Sequence, residues 1–258
     1  MPCPLPPIPL ADVAACGPYF ELTSVGTACE AGWLRASALS DDPGILGHMI
    51  DDVAASLPTR QRWIAASVFY QGWAARLTSI YAASAALCGA VPDLGAGLVS
   101  FRLREPGPAQ LDAWPLRSLT PAAGWQVICA EHLGPLAAAI RGQVRIGGYL
   151  LRGNVGSALA GALSIVSAQL QRPLDSLLRN NWAHPADLAT SGRWLRTPDG
   201  PRYARSTCCG YEQLDQAGRC GDCSLNWHGS RLPVLAAPPQ TMRQEAEKPG
   251  AGGRIHEP

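Results

Sequence analysis

The sequence predicts a mainly α protein: a helical bundle with a small β-hairpin and a cysteine-rich C-terminal segment. Three observations predict it. Apolar residues recur every three or four positions over 63–87, 125–140 and 155–170, the period of helices. A Pro-Asp-Gly turn at 198–200 separates two short runs able to pair. Four of the nine cysteines fall between 208 and 223. The chain has 258 residues, 47% hydrophobic and only 16% charged, so it can bury a sizeable core and is not a disordered chain. A net charge of +1 leaves no surplus to displace counterions, which excludes a general nucleic-acid binder.

Residues 1–40, rich in Pro, Gly and Ala, read as an irregular arm. Five prolines within its first nine residues and no basic stretch before an apolar run argue against a secretory signal. Asp41-Asp42-Pro43 starts a helix, with an acidic N-cap and Pro in the first turn, and Pro58 ends it. Thr59 is the expected cap of a long second helix. Its stripe is Trp63, Ala66, Tyr70, Trp73, Leu77, Ile80, Ser84 and Leu87, and it stops at Cys88-Gly89. Leu98–Leu103 reads as a strand, and Pro106, Pro108 and Pro115 make the next segment a loop. Pro121 opens a third helix whose Trp125, Ile128, Cys129, His132, Leu133, Leu136 and Ile140 share a face, with a kink at Gly134-Pro135. A fourth helix carries Val155, Leu159, Leu163, Val166 and Leu170, and its Gly156, Ala160 and Gly161 admit a close neighbour. A short helix over Pro173–Asn180 and a hairpin over Arg193–Arg205 complete the fold.

The stretches 64–91 and 155–170 are apolar, but Gln71 and Arg76 interrupt the first, and the second is too short to span a bilayer. Both read as buried helices of a soluble bundle, with no integral membrane segment and a cytoplasmic location. The chain divides into a helical part (1–200), a cysteine segment (201–235) and a tail expected to be disordered (236–258).

Cys3, Cys16, Cys29, Cys88 and Cys129 are scattered and read as small hydrophobes. Cys208, Cys209, Cys220 and Cys223 form the pattern C-C-x10-C-x2-C, and four thiols so close in a reducing compartment point to a metal. A Cys-x2-Cys turn lets two sulfurs converge on one ion. The vicinal pair is the odd feature, because neighbouring side chains diverge. In a [2Fe–2S] rhomb the irons are separate, so four ligands need not meet at one point. The spacing therefore favours an iron–sulfur cluster over zinc, with a redox dithiol as the third reading. Gly210, Gly218 and Gly221 free the loop to aim N–H groups at sulfur. Arg205 and Arg219 are placed to offset the formal charge of about −2 on an oxidised cluster, although solvated surface arginines explain them as well. Two ligands at Cys208 and Cys209 require a sharp turn, with Gly210 at positive φ, Cys208 against the bundle and Cys209 toward the other two cysteines.

The run YARSTCCGYEQLDQAGRCGDCSL, from Tyr203 to Leu225, resembles the C-terminal signature of FhuF-like ferric-siderophore reductases, and RGNVGSALAGAL, from Arg152, looks like an internal helix of that family. The resemblance is specific over about 25 residues, weaker over 12 more and loose elsewhere. It implies a [2Fe–2S] cluster held by Cys208, Cys209, Cys220 and Cys223, and an oxidoreductase that reduces siderophore-bound Fe³⁺ to Fe²⁺. It further implies a helical domain that docks the ferric siderophore, and peripheral contact with an inner-membrane siderophore transporter. No G-x-G-x-x-G follows a strand, so electrons are expected from a separate donor: a ferredoxin, a flavodoxin or an NAD(P)H-dependent reductase. His228 is a candidate proton source, although a surface histidine is the plainer reading. Trp63, Tyr70, Trp73, Arg76, Trp182 and Trp194 are candidates for a cleft, although as a group they fit a core better. The competing function is a non-enzymatic iron–sulfur or zinc protein whose metal is structural or senses redox state. A role in siderophore biosynthesis would need an ATP site, and no phosphate-binding loop is found.

Overall fold

The computed structural model describes residues 4–26, 30–104, 107–214, 218–227, 229 and 231–237. About half of it is helix and 12% is strand in small sheets, so the mainly α class holds.

The arm is not loose. It contains helix α1 (Leu10–Ala14), a 3-10 turn (Pro18–Phe20) and strand β1 (Leu34–Arg35), followed by helix α2 (Ala38–Asp41). Ile8, Val13, Cys16, Phe20 and Leu22 are buried in the main core. Local propensity is too weak to show this. The arm is ordered by partners far along the chain. The buried carboxylate of Asp112 accepts from the Thr23 hydroxyl and from the Val25 and Gly26 N–H groups at 2.8–3.0 Å. The guanidinium of Arg76, 2% exposed, donates to the carbonyls of Pro18 and Glu21 at 3.0 and 2.6 Å.

Helix α3 (Pro43–Ser56) starts as expected, with Asp42 accepting from the Gly44 and Ile45 N–H groups. Helix α4 spans Arg62–Cys88 and ends at Gly89 in the left-handed region, φ 70°. Thr59 does not cap it: its hydroxyl accepts from the Gln61 N–H, and Gln61 occupies the cap position. Strand β2 (Val91–Pro92) precedes β3 (Val99–Arg102), the strand expected at 98–103. The proline-rich stretch is not merely loop. It holds β4 (Gln110–Ala113), paired antiparallel with β3, and β5 (Ser118–Leu119), paired with β2. The prolines confine these strands to short runs without removing them.

Helix α5 (Pro121–Val127) passes through a π-helical stretch (Ile128–Leu133) into α6 (Gly134–Gln143). Proline lacks the N–H that an α-helix needs, and the wider π turn takes up the mismatch at Gly134-Pro135. Helix α7 (Gly148–Gln169) packs along α4. Both are buried on nearly all sides through their middles, not along one stripe, because small residues let neighbours close in from every direction. A Cβ on Gly156 would lie 2.2 Å from the Ser191 hydroxyl, so this glycine does admit the close neighbour expected of it. Gly161 does not, since a Cβ there meets nothing within 4 Å. By length and composition α7 could cross a membrane, but 67% of its apolar window is buried inside the protein, as a core helix is.

After α8 (Leu174–Leu177) and two 3-10 turns comes the expected hairpin, β6 (Gly192–Thr197) with β7 (Gly200–Arg205), joined by Pro198-Asp199 and closed by the Thr197–Gly200 pair. The chain returns after the cysteines to its edge, where the Arg196 N–H donates to the Pro233 carbonyl and the Leu235 N–H to that of Trp194. Of the expected tail, Ala236 and Ala237 are described without regular structure; 238–258 lie outside the described residues, as do Cys3, Cys29 and His228.

Candidate functional site

The four clustered cysteines are brought together at the end of β7. The Arg205 N–H donates to the Asp222 carbonyl at 3.1 Å, which sets the Cys220–Cys223 turn beside the vicinal pair. That turn is closed by the Cys223 N–H on the Cys220 carbonyl at 3.0 Å, and Asn226 Nδ2 caps the same carbonyl at 2.9 Å. Gly210 adopts φ +87°, the positive value expected there, and sits against Trp63: a Cβ would meet that ring at 2.5 Å. Only glycine fits both constraints. The sharp turn sends the two vicinal side chains apart. Cys209 is buried and its thiol pairs with Cys220, as expected. Cys208 is half-buried, 4.0 Å from Glu212 Oε1, so it is Cys209 that packs toward the bundle.

Backbone N–H groups do point at sulfur: Gly210 donates to Cys208 Sγ at 3.3 Å, and Tyr211 to Cys209. The hydrogen bond from Cys220 lowers the Cys209 pKa to about 6, helped by the Tyr211 N–H and by Arg205. The same hydrogen bond, with burial, pushes Cys220 up. Burial also raises Cys208, against the Gly210 hydrogen bond. Cys223 is 1% exposed and interacts electrostatically with Cys208 and Cys220. Among the described residues, no three His, Cys, Asp or Glu side chains form a group that could hold a metal ion; the closest thiol approach is pairwise.

Beneath the thiols lies a polar network that the sequence reading missed. Ser67 on α4 donates to the Cys209 carbonyl at 2.8 Å. Asn154 on α7 donates through Nδ2 to the Ser67 carbonyl and hydroxyl, each at 2.9 Å, and accepts from Arg205 Nη2. Arg205 Nη1 donates to Gln71 Oε1 at 3.4 Å. Ser67 and Asn154 are fully buried and Arg205 is 2% exposed, so Arg205 is no surface residue, whereas Arg219 is exposed. No ion pair to a carboxylate is formed by Arg205 among the described residues, and its Nε has no partner. A buried cation without an anion costs several kcal/mol, and the thiol of Cys209 lies near enough to feel its charge. The sole sequence signal was a polar Asn in the apolar run of α7. Buried orphan atoms cluster in the same loop: Thr207 Oγ1, Asp222 Oδ2 and Trp227 Nε1.

The other sequence candidates serve elsewhere. Tyr70, Trp73 and Trp194 are core, with Trp73 edge-on to Phe101 and Trp194 edge-on to Tyr203. Arg76 holds the arm, and Trp63 lies against Gly210 of the cysteine loop. Trp182 lines a second cleft of about 600 Å³ with Tyr81, Trp125 and Cys129, away from the four clustered cysteines. Cys16 is buried and Cys88 half-buried, as small hydrophobes would be, but Cys129 is more than filler: its thiol donates to Asp187 at 3.4 Å. No family model matches this chain, and no curated protein matches it either.

Proposed function

We propose that the protein is a ferric-siderophore reductase that delivers single electrons to siderophore-bound Fe³⁺ and releases Fe²⁺ in the cytoplasm. The observation that carries this reading is the gathering of Cys208-Cys209 and Cys220-x2-Cys223 at one pole, over a buried arginine that has no carboxylate partner among the described residues. The donor type suits the cofactor: all four candidate ligands are thiols, and Cys209 and Cys220 lie close enough to pair. A [2Fe–2S] cluster on Cys208, Cys209, Cys220 and Cys223 would supply one electron at a time. Arg205 offsets the thiolate charge, the Gly210 and Tyr211 N–H groups favour anionic sulfur, and Ser67 fixes the backbone between ligands.

The substrate chemistry follows from hard and soft donors. Hydroxamate and catecholate oxygens hold Fe³⁺ far more tightly than Fe²⁺, so one electron releases the metal with the chelator intact. A separate protein (ferredoxin, flavodoxin or NAD(P)H-dependent reductase) would recharge the site. The competing reading, a metal that only staples the segment, is weakened by protein bonds that already tie it down: Ser67 to Cys209, Arg205 to Asn154, and 233–235 to β6.

Anaerobic purification tests the proposal. The expected product is red-brown, with about two iron and two labile sulfide per chain, and after reduction it is re-oxidised by ferric siderophores as a chelator dye captures Fe²⁺. Colourless protein with stoichiometric zinc would overturn the reading.

A further inference from the structure

A cleft of about 450 Å³ runs between α4, α7 and the hairpin, and the centre of the Cys220–Cys223 turn, Gly221-Asp222, forms part of its wall. We propose that this cleft is where the ferric chelate docks, an inference that rests on the reductase reading above. Its volume lies within the roughly 300–1,000 Å³ of ligand pockets. Among small apolar residues its floor carries two hydroxyls: Ser79 and Ser157, 3% and 8% exposed, lie on the facing helices α4 and α7.

Gln71 joins this floor to the cysteines. Its Nε2 donates to Ser157 Oγ at 3.4 Å, and its Oε1 accepts from Arg205 Nη1, the cation beside Cys209. At the rim stands Tyr19, 40% exposed, in the stretch of arm held by Arg76. Arg202 and Asp222 bring one charge of each sign. Such a lining offers donors and acceptors to the amide and oxygen periphery of a chelate. It does not compete for the metal, since Asp222 is the one carboxylate among its described lining residues. The larger cleft at Trp182 is a poorer dock, because no described residue of the cysteine loop lines it, whereas Gly221 and Asp222, between Cys220 and Cys223, line this one, and electron transfer weakens steeply with distance.

Gly161 gives a clean test, since it lines the cleft on an exposed part of α7 and a new side chain there has room. In full-length, cluster-loaded Gly161→Trp, the dissociation constant for redox-inert gallium(III) complexes of a tris-hydroxamate and a tris-catecholate chelator is expected to rise about tenfold by calorimetry. Reduction of the matching ferric complexes should slow in parallel. The rate with the small acceptor hexacyanoferrate(III) should stay within about twofold, with the visible spectrum unchanged. Gly161→Gln, a smaller plug, gives an intermediate loss, so the result does not hinge on one folded variant. Gly161→Ala and Ala122→Trp, the latter in the other cleft, should bind as wild type. Wild-type gallium-chelate affinity in both Gly161→Trp and Gly161→Gln overturns the cleft and leaves the reductase reading standing. Wild-type protein that lacks iron and labile sulfide, or reduces no ferric siderophore, overturns that reading and the cleft with it.

Discussion

Two arginines, each 2% exposed, hold two irregular parts of this protein, the N-terminal arm and the cysteine loop. Arg76 reaches from α4 to the N-terminal arm, and Arg205 stands at the base of the cysteine loop. Arg76 donates to two backbone carbonyls, with Glu21 close enough to support its charge. Burial lowers its pKa to about 10, so it stays charged at neutral pH. Arg205 instead meets neutral amide oxygens of Asn154 and Gln71 and faces thiols. One fastens backbone; the other is held by neutral side-chain oxygens beside thiols. The difference shows that a buried arginine is read from its acceptors, not from its burial.

The largest effect that tests this contrast is removal of the negative partner. Cys220→Ser or Cys223→Ser should abolish iron and sulfide incorporation, because a hydroxyl is a hard, weak substitute for thiolate. Cys88→Ser and Cys129→Ser should leave the visible spectrum intact. Exchanged outcomes would mean that the cysteines are wrongly grouped.

The arginines should then separate by readout. Arg76→Met leaves the Pro18 and Glu21 carbonyls without their donor and should cost roughly 3 kcal/mol and 5–10 °C in melting temperature, with spectrum and potential unchanged. Arg205→Met should lower the midpoint potential by on the order of 50–100 mV, since adding an electron beside a lost cation becomes harder. Arg205→Lys should recover part of that shift. Equal potentials in wild type and Arg205→Met would reduce Arg205 to a second staple.

The smallest effect touches neither arginine. His132, buried in the π turn and bonded to the Leu94 carbonyl, has its pKa lowered, first by burial, and so does His184. The unfolded chain titrates near pH 6.5 and therefore binds protons first on acidification. The stability of neutral histidine is complete above about pH 6.5 and is lost as pH falls toward the lowered folded values, by up to about 1.4 kcal/mol per pH unit per group. Urea melts at pH 5 and 7.5 should show the loss, and His132→Gln should flatten it.

Sequence alone determined what local chemistry controls. The start of α3 follows from Asp42-Pro43, the end of α4 from Gly89, the hairpin from Pro198-Asp199-Gly200, and the positive φ at 210 from glycine beside two cysteines. Each depends on a few adjacent residues, so pattern suffices. Tertiary structure alone decided the rest. The arm is ordered by Asp112 and Arg76, dozens of positions away, and β4 exists because β3 offers it a partner. The network under the thiols joins positions 67, 71, 154 and 205 across two helices and a strand. No periodicity marks such a set, because what selects those residues is the burial of charge where distant segments meet.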